Sequence, residues 1–292
     1  MYFANCHCHS TFSDGMYTPE QLCALAAKEG YKAIVLTDHD THRGSYFMNR
    51  AARRFGLLNI SATEFYAVGY GTEFHMLGFD YNPEAKKIKA ILERASSRAT
   101  IKTKFLFEKG LSRGILRDGI CWQDVIDAYP YNDYICNNQV FEVMVSRGIY
   151  KKEEYFDLFL KPVFGGATAK SYGAELTELL PDIPHAEVLV EAIKEAGGVP
   201  VIAHPHNKEP YLKDLLNAGI MGFETSHPSL TAEERVFYDK FCVERGLYRM
   251  GGTDHSGLLS GLAELNPAKD CDPSDGYVTE ECFMEMYARV RG

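Results

Sequence analysis

The residues near the start of the chain have the types and spacing that metal chemistry requires. His7 and His9 follow a short apolar segment and are separated by one residue. Alternate residues of a β-strand point to the same face, so both imidazoles can bind the same ion. Asp14 follows in a Ser-Asp-Gly turn, which can fold back toward the two histidines. The opening stretch therefore predicts part of a metal site.

Further candidate ligands lie at the ends of predicted strands. The polar residues at these positions are His7, His9, Asp14, Asp38, His39, Glu64, His75, His204, His227 and Asp254. Active sites of β/α barrels collect side chains from the carboxyl ends of several strands. Imidazole and carboxylate groups are the usual ligands of zinc, manganese and iron in hydrolytic sites. The joint pattern predicts a metal centre.

Helices and buried strands must position these side chains. Thr18 and Gln21 predict a capped helix start, and Gly30 predicts the end of that helix. The continuous apolar run at 32–36 is typical of a buried parallel strand. Its carboxyl end leads directly to His39, as expected for a side chain that faces an active site.

The same alternation continues over the next elements. A strand at 57–61 precedes Glu64, and an extended segment at 72–79 carries His75. Strands that alternate with helices, with polar residues at the strand exits, indicate a β/α barrel.

This alternation stops between residues 83 and 185, where helical patterns predominate. The helical stretches lie at 84–109, 121–128, 138–147 and 151–160, and barrel-type strands resume at 199–203, 221–225 and 248–251. We therefore predict an α/β fold in which residues 1–82 and 186–292 form a discontinuous barrel. Residues 83–185 would form an inserted helical subdomain that acts as a substrate-selecting lid.

Composition excludes several other classes of protein. The 292 residues are 46% hydrophobic and carry a net charge of −9, which disfavours a long nucleic acid as partner. We find no apolar run of the roughly 20 residues that a membrane span needs, and we expect no secretory leader. The eight cysteines form no disulfide framework and no Cys-x-x-Cys pair, so we expect a reduced, cytoplasmic protein. Cys6 and Cys8 are expected to pack in the core.

As a set, the motifs resemble those of the PHP (polymerase and histidinol phosphatase) domain family, in its stand-alone metal-dependent phosphoesterase branch. The matching motifs are His-x-His with Ser-Asp-Gly at 7–15, Thr-Asp-His at 37–39, Glu64, His-x-Leu-Gly at 75–78, His-Pro at 204–205 and Gly-Thr-Asp at 252–254. The resemblance covers about residues 1–82 and 186–260. It implies a distorted seven-stranded β/α barrel with two or three divalent ions, and a helical insertion.

The resemblance also implies a ligand set for each ion. The implied ligands are His7, His9, Glu64 and Asp254 for the first ion, Glu64 as a bridge with His75 and His204 for the second, and Asp14 with His39 for the third. In the family, a histidine two residues after the late aspartate completes the third site, whereas this chain has Ser256 there. Three alternatives follow. His255 binds the third ion, His206 takes the place of the missing histidine ligand, or the third ion is bound weakly.

Substrate contacts also differ from the family pattern. Many relatives carry an Arg-x-His pair in the insertion that grips phosphate, but the counterpart in this chain is Asn-Asn-Gln at 137–139. Positive charge in the insertion could instead come from Arg94, Arg98, Arg147 and Lys170. His227 is a candidate substrate contact or proton donor, or it supports other ligands. Asp38 could orient or protonate the leaving group, or it could fix the tautomer of a ligating imidazole.

These predictions favour hydrolysis of a small phosphoester, a phosphorylated metabolite or a nucleotide, by a hydroxide that bridges the first two ions. The first alternative is a metal-dependent hydrolase of a non-phosphate bond. The second is a non-catalytic metal-binding or partner-docking protein. A nuclease is less expected, because an acidic protein does not offer the basic surface along which a nucleic-acid strand binds. We expect no membrane partner, and the sequence leaves the oligomeric state open.

Overall fold

The computed structural model describes residues 3–256 and 277–291. Its first part alternates short strands and helices before a pair of longer strands. These elements are β1 (Ala4–Asn5), α1 (Pro19–Glu29), β2 (Ala33–Ile34), α2 (Arg43–Phe55), β3 (Ala62–Gly69) and β4 (Thr72–Phe79).

Helices follow, as the sequence predicted for this region. They are α3 (Lys86–Ser112), α4 (Trp122–Ala128), α5 (Asn137–Ser146), a π-helix (Tyr155–Phe164), α6 (Gly166–Ser171) and α7 (Ala174–Thr177). Strands and helices then alternate again: α8 (Ala186–Glu195), β5 (Val199–Ile202), α9 (Leu212–Ala218), β6 (Gly222–Ser226), α10 (Ala232–Arg245), β7 (Tyr248–Gly251) and α11 (Glu280–Arg291). Short 3₁₀ turns lie at Lys152–Glu154 and Glu209–Tyr211.

The start and end of α1 confirm the sequence prediction. The backbone N–H of Gln21 donates to Oγ1 of Thr18 at 3.3 Å, and Oε1 of Gln21 accepts from the backbone N–H of Thr18 at 2.8 Å. Gly30 ends the helix in the left-handed region at a φ of 89°. These caps fix the helix between the His7–Asp14 loop and β2.

The strands form two sheets. β1 and β2 pair in parallel, and the second sheet has five strands in the order β3-β4-β5-β6-β7. β4 is antiparallel to both β3 and β5, whereas β5, β6 and β7 are parallel. Mixed α/β architecture is therefore present, but the strands within residues 3–256 and 277–291 do not pair as one seven-stranded sheet, so the closed barrel stays a prediction.

One strand differs from the sequence prediction in its position. The segment at 57–61 makes only a single bridge, between Ala33 and Leu58, and the strand begins at Ala62. Glu64 therefore lies inside β3 instead of after a strand. β3 and β4 form a hairpin whose two turn residues, Tyr70 and Gly71, have φ values of 53° and 80°. Two-residue hairpin turns favour such left-handed pairs, and this turn makes β4 antiparallel.

Hydrogen bonds between the two sheets bring the site residues together. The N–H of Cys6 donates to the carbonyl of Gly251 at 3.0 Å, and the N–H of Asp254 donates to the carbonyl of His7 at 2.9 Å. On the other side, the N–H of Glu64 donates to the carbonyl of Thr37 at 3.2 Å. These bonds place the segments after β1, β2 and β7 beside β3.

Both faces of β4 are buried. Leu77 and Phe79 pack in one apolar cluster with Val201, while Met76 packs on the other face with Leu189 of α8. Such two-sided burial is typical of a central strand covered by helices. This packing fixes the position and orientation of His75, which also lies on β4.

Two further predictions concern cysteines and membranes. Cys6 and Cys8 are fully buried in apolar clusters, as expected, and burial raises the pKa of both thiols well above the ordinary value. Cys271, one of the eight cysteines in the prediction, lies outside the described residues. Among the helices that the structure describes, none combines the length and the apolar character that crossing a membrane requires.

Candidate metal centre and adjoining cavity

The four residues implied for the first ion lie together. Ligand atoms of His7, His9, Glu64 and Asp254 are all within 4.8 Å of one another and could hold a metal ion. Nε2 of His7 and Nε2 of His9 lie 3.2 and 3.3 Å from Oε2 of Glu64. Nε2 of His9 also lies 2.9 Å from Oδ1 of Asp254. The strand spacing of the two histidines thus brings both imidazoles to one point.

Glu64 lies at the centre of the wider cluster. Its Oε1 is 2.8 Å from Nδ1 of His75 and 2.9 Å from Nε2 of His204, so the residues implied for the second ion are also adjacent. Nδ1 of His39 lies 3.1 Å from Oε2. Burial alone would raise the pKa of Glu64, but the imidazoles of His39, His7 and His75 outweigh it and hold the pKa well below its ordinary value. Glu64 is therefore an anion that contacts imidazoles through both of its oxygens.

Asp14 approaches two of these histidines from the loop after β1. Its Oδ1 lies 3.5 Å from Nδ1 of His9, and its Oδ2 lies 3.9 Å from Nε2 of His39. The three side chains form a further group that could hold a metal. Burial lowers the pKa of His39 to about 4, so its imidazole is neutral at pH 7 and has a lone pair available for a ligand.

Among the described residues, the group around Asp14 that could hold a metal includes neither His255 nor His206. His255 is fully buried with its ring stacked on Tyr17, the centroids 5.7 Å apart. Nδ1 of His206 lies 2.9 Å from Glu234 on the surface. These contacts do not support His255 or His206 as the ligand that completes the third group.

Sequence reasoning missed Glu224. Its Oε1 lies 3.0 Å from Nδ1 of His7, and its Oε2 accepts the backbone N–H of His204 at 2.6 Å. His204 has a φ of 26°, a rare value for a residue with a side chain, so this bond supports an unusual backbone geometry. The available signal was a carboxylate beside Phe223 within the predicted strand, because a buried carboxylate requires hydrogen-bond partners.

Asp38 has a different role from those expected. Its carboxylate accepts the backbone N–H of Ser10 at 2.7 Å and the hydroxyls of Ser10 and Ser13 at 2.7 and 2.6 Å. It is buried and anchors the loop that connects His9 to Asp14. The hydrogen bonds that Asp38 forms with the described residues go to this loop and not to an imidazole.

His227 is oriented by the chain just after it. The backbone N–H of Ser229 donates to Nδ1 of His227 at 3.1 Å, which makes Nδ1 an acceptor. A neutral His227 therefore carries its proton on Nε2, which lies 3.5 Å from Oδ2 of Asp254. With its proton there, Nε2 has no lone pair for a metal.

Several buried atoms of the cluster have unfilled bonding capacity. Nε2 of His7, Nδ1 of His9, Nδ1 of His39 and Oε2 of Glu64 form no hydrogen bond within the part of the chain that the structure describes. Buried polar atoms are normally satisfied, because leaving one unpaired is costly. These atoms belong to residues of the groups that could hold an ion, so the donor set fits divalent metals.

The cluster opens into a cavity of about 570 Å³ that reaches the inserted helices. Asp14 and His39 line one part of it. Of the four cationic residues predicted to contact substrate, Arg98 and Lys170 line the cavity. Arg94 and Arg147 do not: Arg94 donates to the carbonyl of Ala90, and Arg147 pairs with Asp124 at 3.1 Å.

The segment that replaces the family's Arg-x-His pair supports a loop. Asn138 and Gln139 donate from their side-chain amides to the carbonyls of Asp14 and Ser13. Asn137 lines the cavity and donates to the hydroxyl of Tyr155 at 2.8 Å. The amino end of α5 thus holds the Asp14 loop in place.

Three curated relatives span most of the chain. The phosphoribosyl 1,2-cyclic phosphate 1,2-diphosphodiesterase of Eggerthella lenta is 26% identical over 89% of this chain and 96% of its own. The 5′-3′ exoribonuclease of Haemophilus influenzae is 28% identical over 85% of this chain and 88% of its own. The 3′,5′-nucleoside bisphosphate phosphatase of Chromobacterium violaceum is 25% identical over 97% of this chain and 96% of its own.

Structural similarity agrees with these relatives. A crystal structure from Bifidobacterium adolescentis, described as a candidate metal-dependent phosphoesterase, matches 99% of this chain and 96% of its own with a TM-score of 0.75 and 25% identity. Residues 5–135 match the family model of the PHP domain. This family is the one that the sequence motifs resemble.

Proposed function

We propose that this protein is a metal-dependent phosphoesterase. The observation that carries the proposal is the buried Glu64 carboxylate, which contacts imidazoles through both oxygens beside a cavity lined by cationic side chains. All three relatives described above are named as enzymes that cleave phosphate esters. The conclusion is therefore a hydrolase with a phosphoric ester as substrate.

The residues proposed to hold the ions are those that the sequence singled out. His7, His9, Glu64 and Asp254 would hold one ion, Glu64 with His75 and His204 a second, and Asp14 with His39 a third. Histidine and carboxylate ligands suit zinc, manganese and iron. When bound, such ions lower the pKa of water and stabilise charge on phosphoryl oxygens.

The other polar residues would set geometry and charge. Glu224 would hold the proton on Nδ1 of His7 and so leave Nε2 as the ligand atom. His227 would fix the orientation of Asp254 through Nε2. Arg98 and Lys170 would attract an anionic substrate into the cavity, because a cationic wall raises the local concentration of anions.

We propose a small phosphorylated compound as substrate, because a cavity of about 570 Å³ suits a molecule of nucleotide size. One relative is named an exoribonuclease, so the end of an RNA strand is the alternative substrate. Net charge favours the small substrate, since the chain carries −9 and strand binding rests on a basic surface.

Three finer features are also proposals. A distorted seven-stranded β/α barrel is supported by the hydrogen bonds that connect Cys6 to Gly251 and Glu64 to Thr37. A lid subdomain at 83–185 is supported by a separate apolar cluster that includes Phe107 and Phe141. A cytoplasmic location is supported by the seven described cysteines, all of which are free thiols.

The test is a turnover screen with metal-loaded protein. Samples with bound Mn²⁺, Zn²⁺ or Fe²⁺ would be offered sugar phosphates, nucleotides, nucleoside bisphosphates, cyclic phosphates and short RNA. We expect release of phosphate from, or opening of, at least one small ester, and loss of that turnover in Glu64→Gln. Failure of every substrate while metal is demonstrably bound would contradict the proposal, and RNA degradation alone would favour the nuclease alternative.

A further inference from the structure

A third cationic residue lines the cavity besides Arg98 and Lys170, and sequence reasoning did not single it out. Lys102 and Arg98 both line the cavity and are four residues apart on α3. Side chains with this spacing lie next to each other on one face of a helix. The helix therefore presents a guanidinium and an ammonium group side by side to the cavity.

The charge of Lys102 is poorly compensated by the protein. Within the described ranges, its ammonium group forms no ion pair or hydrogen bond. Burial lowers the pKa of Lys102, and the neighbouring Arg98 lowers it further, against the opposing effect of Glu73. Arg98 disfavours the charge of the adjacent Lys102, and a bound anion would stabilise the two cations together.

This pair lies beyond the metal ligands. Glu73, the acid that acts on Lys102, precedes His75 by two residues on β4, so both point to the same face. The rise of a strand puts them roughly 7 Å apart. An anion beside Lys102 would therefore be at a different point from a phosphate held at the cluster of Glu64.

The walls of the cavity also suit a ring. Tyr66, Tyr134 and Phe164 line the same cavity, whose volume of about 570 Å³ exceeds what a lone phosphate would fill. Aromatic walls favour a flat or apolar body, while charged groups fix its ends.

We propose that Lys102, together with Arg98, binds a second anionic group of the substrate, so that the enzyme selects small phosphoesters with two separated anionic groups. This inference rests on the proposed phosphoesterase function. It assigns to the lid helix α3 the charge recognition that the segment at 137–139 does not provide.

The experiment compares substrates with one and two phosphates. Metal-loaded wild type and Lys102→Met would be assayed with p-nitrophenyl phosphate, adenosine 5′-phosphate and adenosine 3′,5′-bisphosphate. We expect Lys102→Met to lower kcat/KM for the bisphosphate about tenfold or more, mainly through KM, as for loss of a charged hydrogen bond. Turnover of p-nitrophenyl phosphate should change less than about twofold, and Lys102→Arg should restore the preference.

Arg94→Met is the matched control, because Arg94 lies on the same helix, is exposed and does not line the cavity. An equal loss on all three substrates, or no loss on any, would overturn the inference. If no substrate is turned over, calorimetry measures the affinity of the metal-loaded protein for the two adenosine compounds and so tests the subsite directly. Wild type should bind the bisphosphate about tenfold more tightly than Lys102→Met does, and equal binding would reject the subsite even if the phosphoesterase proposal holds.

Discussion

Glu224 contacts His7 on the side opposite the metal-ligand candidates. Oε1 of Glu224 lies 3.0 Å from Nδ1 of His7, both side chains are fully buried, and Nε2 of His7 faces Glu64. Burial alone would lower the pKa of His7, but Glu224, Glu64 and Asp254 outweigh it and raise that pKa well above its ordinary value. The metal-free centre therefore holds a proton on His7 that an ion must displace from Nε2.

Substitution of Glu224 by Gln should weaken metal binding. Carboxylates that support a ligating imidazole typically contribute about 10- to 100-fold to metal affinity, and we expect a loss of that size for Glu224→Gln. Competition with a chromogenic chelator measures the affinity. Circular dichroism should show an unchanged fold because Gln has nearly the same shape. Unchanged affinity in a folded variant would show that the contact with His7 does not support metal binding.

Metal addition should stabilise the wild type and leave Glu64→Gln nearly unaffected. An ion that binds only the folded protein adds about 2.7 kcal/mol at a concentration of 100 times Kd. Thermal unfolding with and without Mn²⁺ measures this difference, with chelated protein as the reference state. A Tm increase in Glu64→Gln equal to that of wild type would be inconsistent with Glu64 as the shared ligand.

Loss of the Asp38 carboxylate should destabilise the fold. Asp38→Ala removes three hydrogen bonds and leaves the hydroxyls of Ser10 and Ser13 without their acceptor. We expect the free energy of unfolding in urea to fall by about 3 kcal/mol or more. Asp157→Ala is the control, since its pair with Lys161 is exposed and should be worth less than about 1 kcal/mol. Equal effects of the two substitutions would refute the anchoring role.

His42 should make stability depend on pH. Burial lowers its pKa from 6.5 to about 4, with Asp133 opposing, and its Nδ1 lies 3.1 Å from the hydroxyl of Tyr81. Below pH 6.5 the unfolded chain takes up the proton more readily than the folded chain, so stability falls as the pH decreases toward 4. The loss is at most about 3 kcal/mol.

Comparison with His42→Gln isolates this contribution, because other titrating groups are common to both proteins. Urea unfolding at pH 7, 6, 5 and 4 should show a steeper decline for wild type. Parallel curves would mean that His42 does not titrate differently on folding.

The sequence by itself determined the local features of the site. The spacing of His7 and His9, the cap at Thr18 and the polar residues at strand exits depend on the period of a strand or on a few neighbouring residues. Such patterns can be recognised in the sequence without knowledge of tertiary contacts. They identified the group of His7, His9, Glu64 and Asp254, and the helical block at 83–185.

Tertiary structure decided which side chains meet across the fold. Arg94 and Arg98 are alike in type and helix, yet only Arg98 lines the cavity. Glu224 and Asp38 acquired their roles from partners that are 217 and 28 residues away. Local periodicity fixes the face of an element on which a residue lies, but packing between distant elements fixes what that face contacts. The pairing of β3 with β4, and of the segment after β1 with β7, therefore had to be observed.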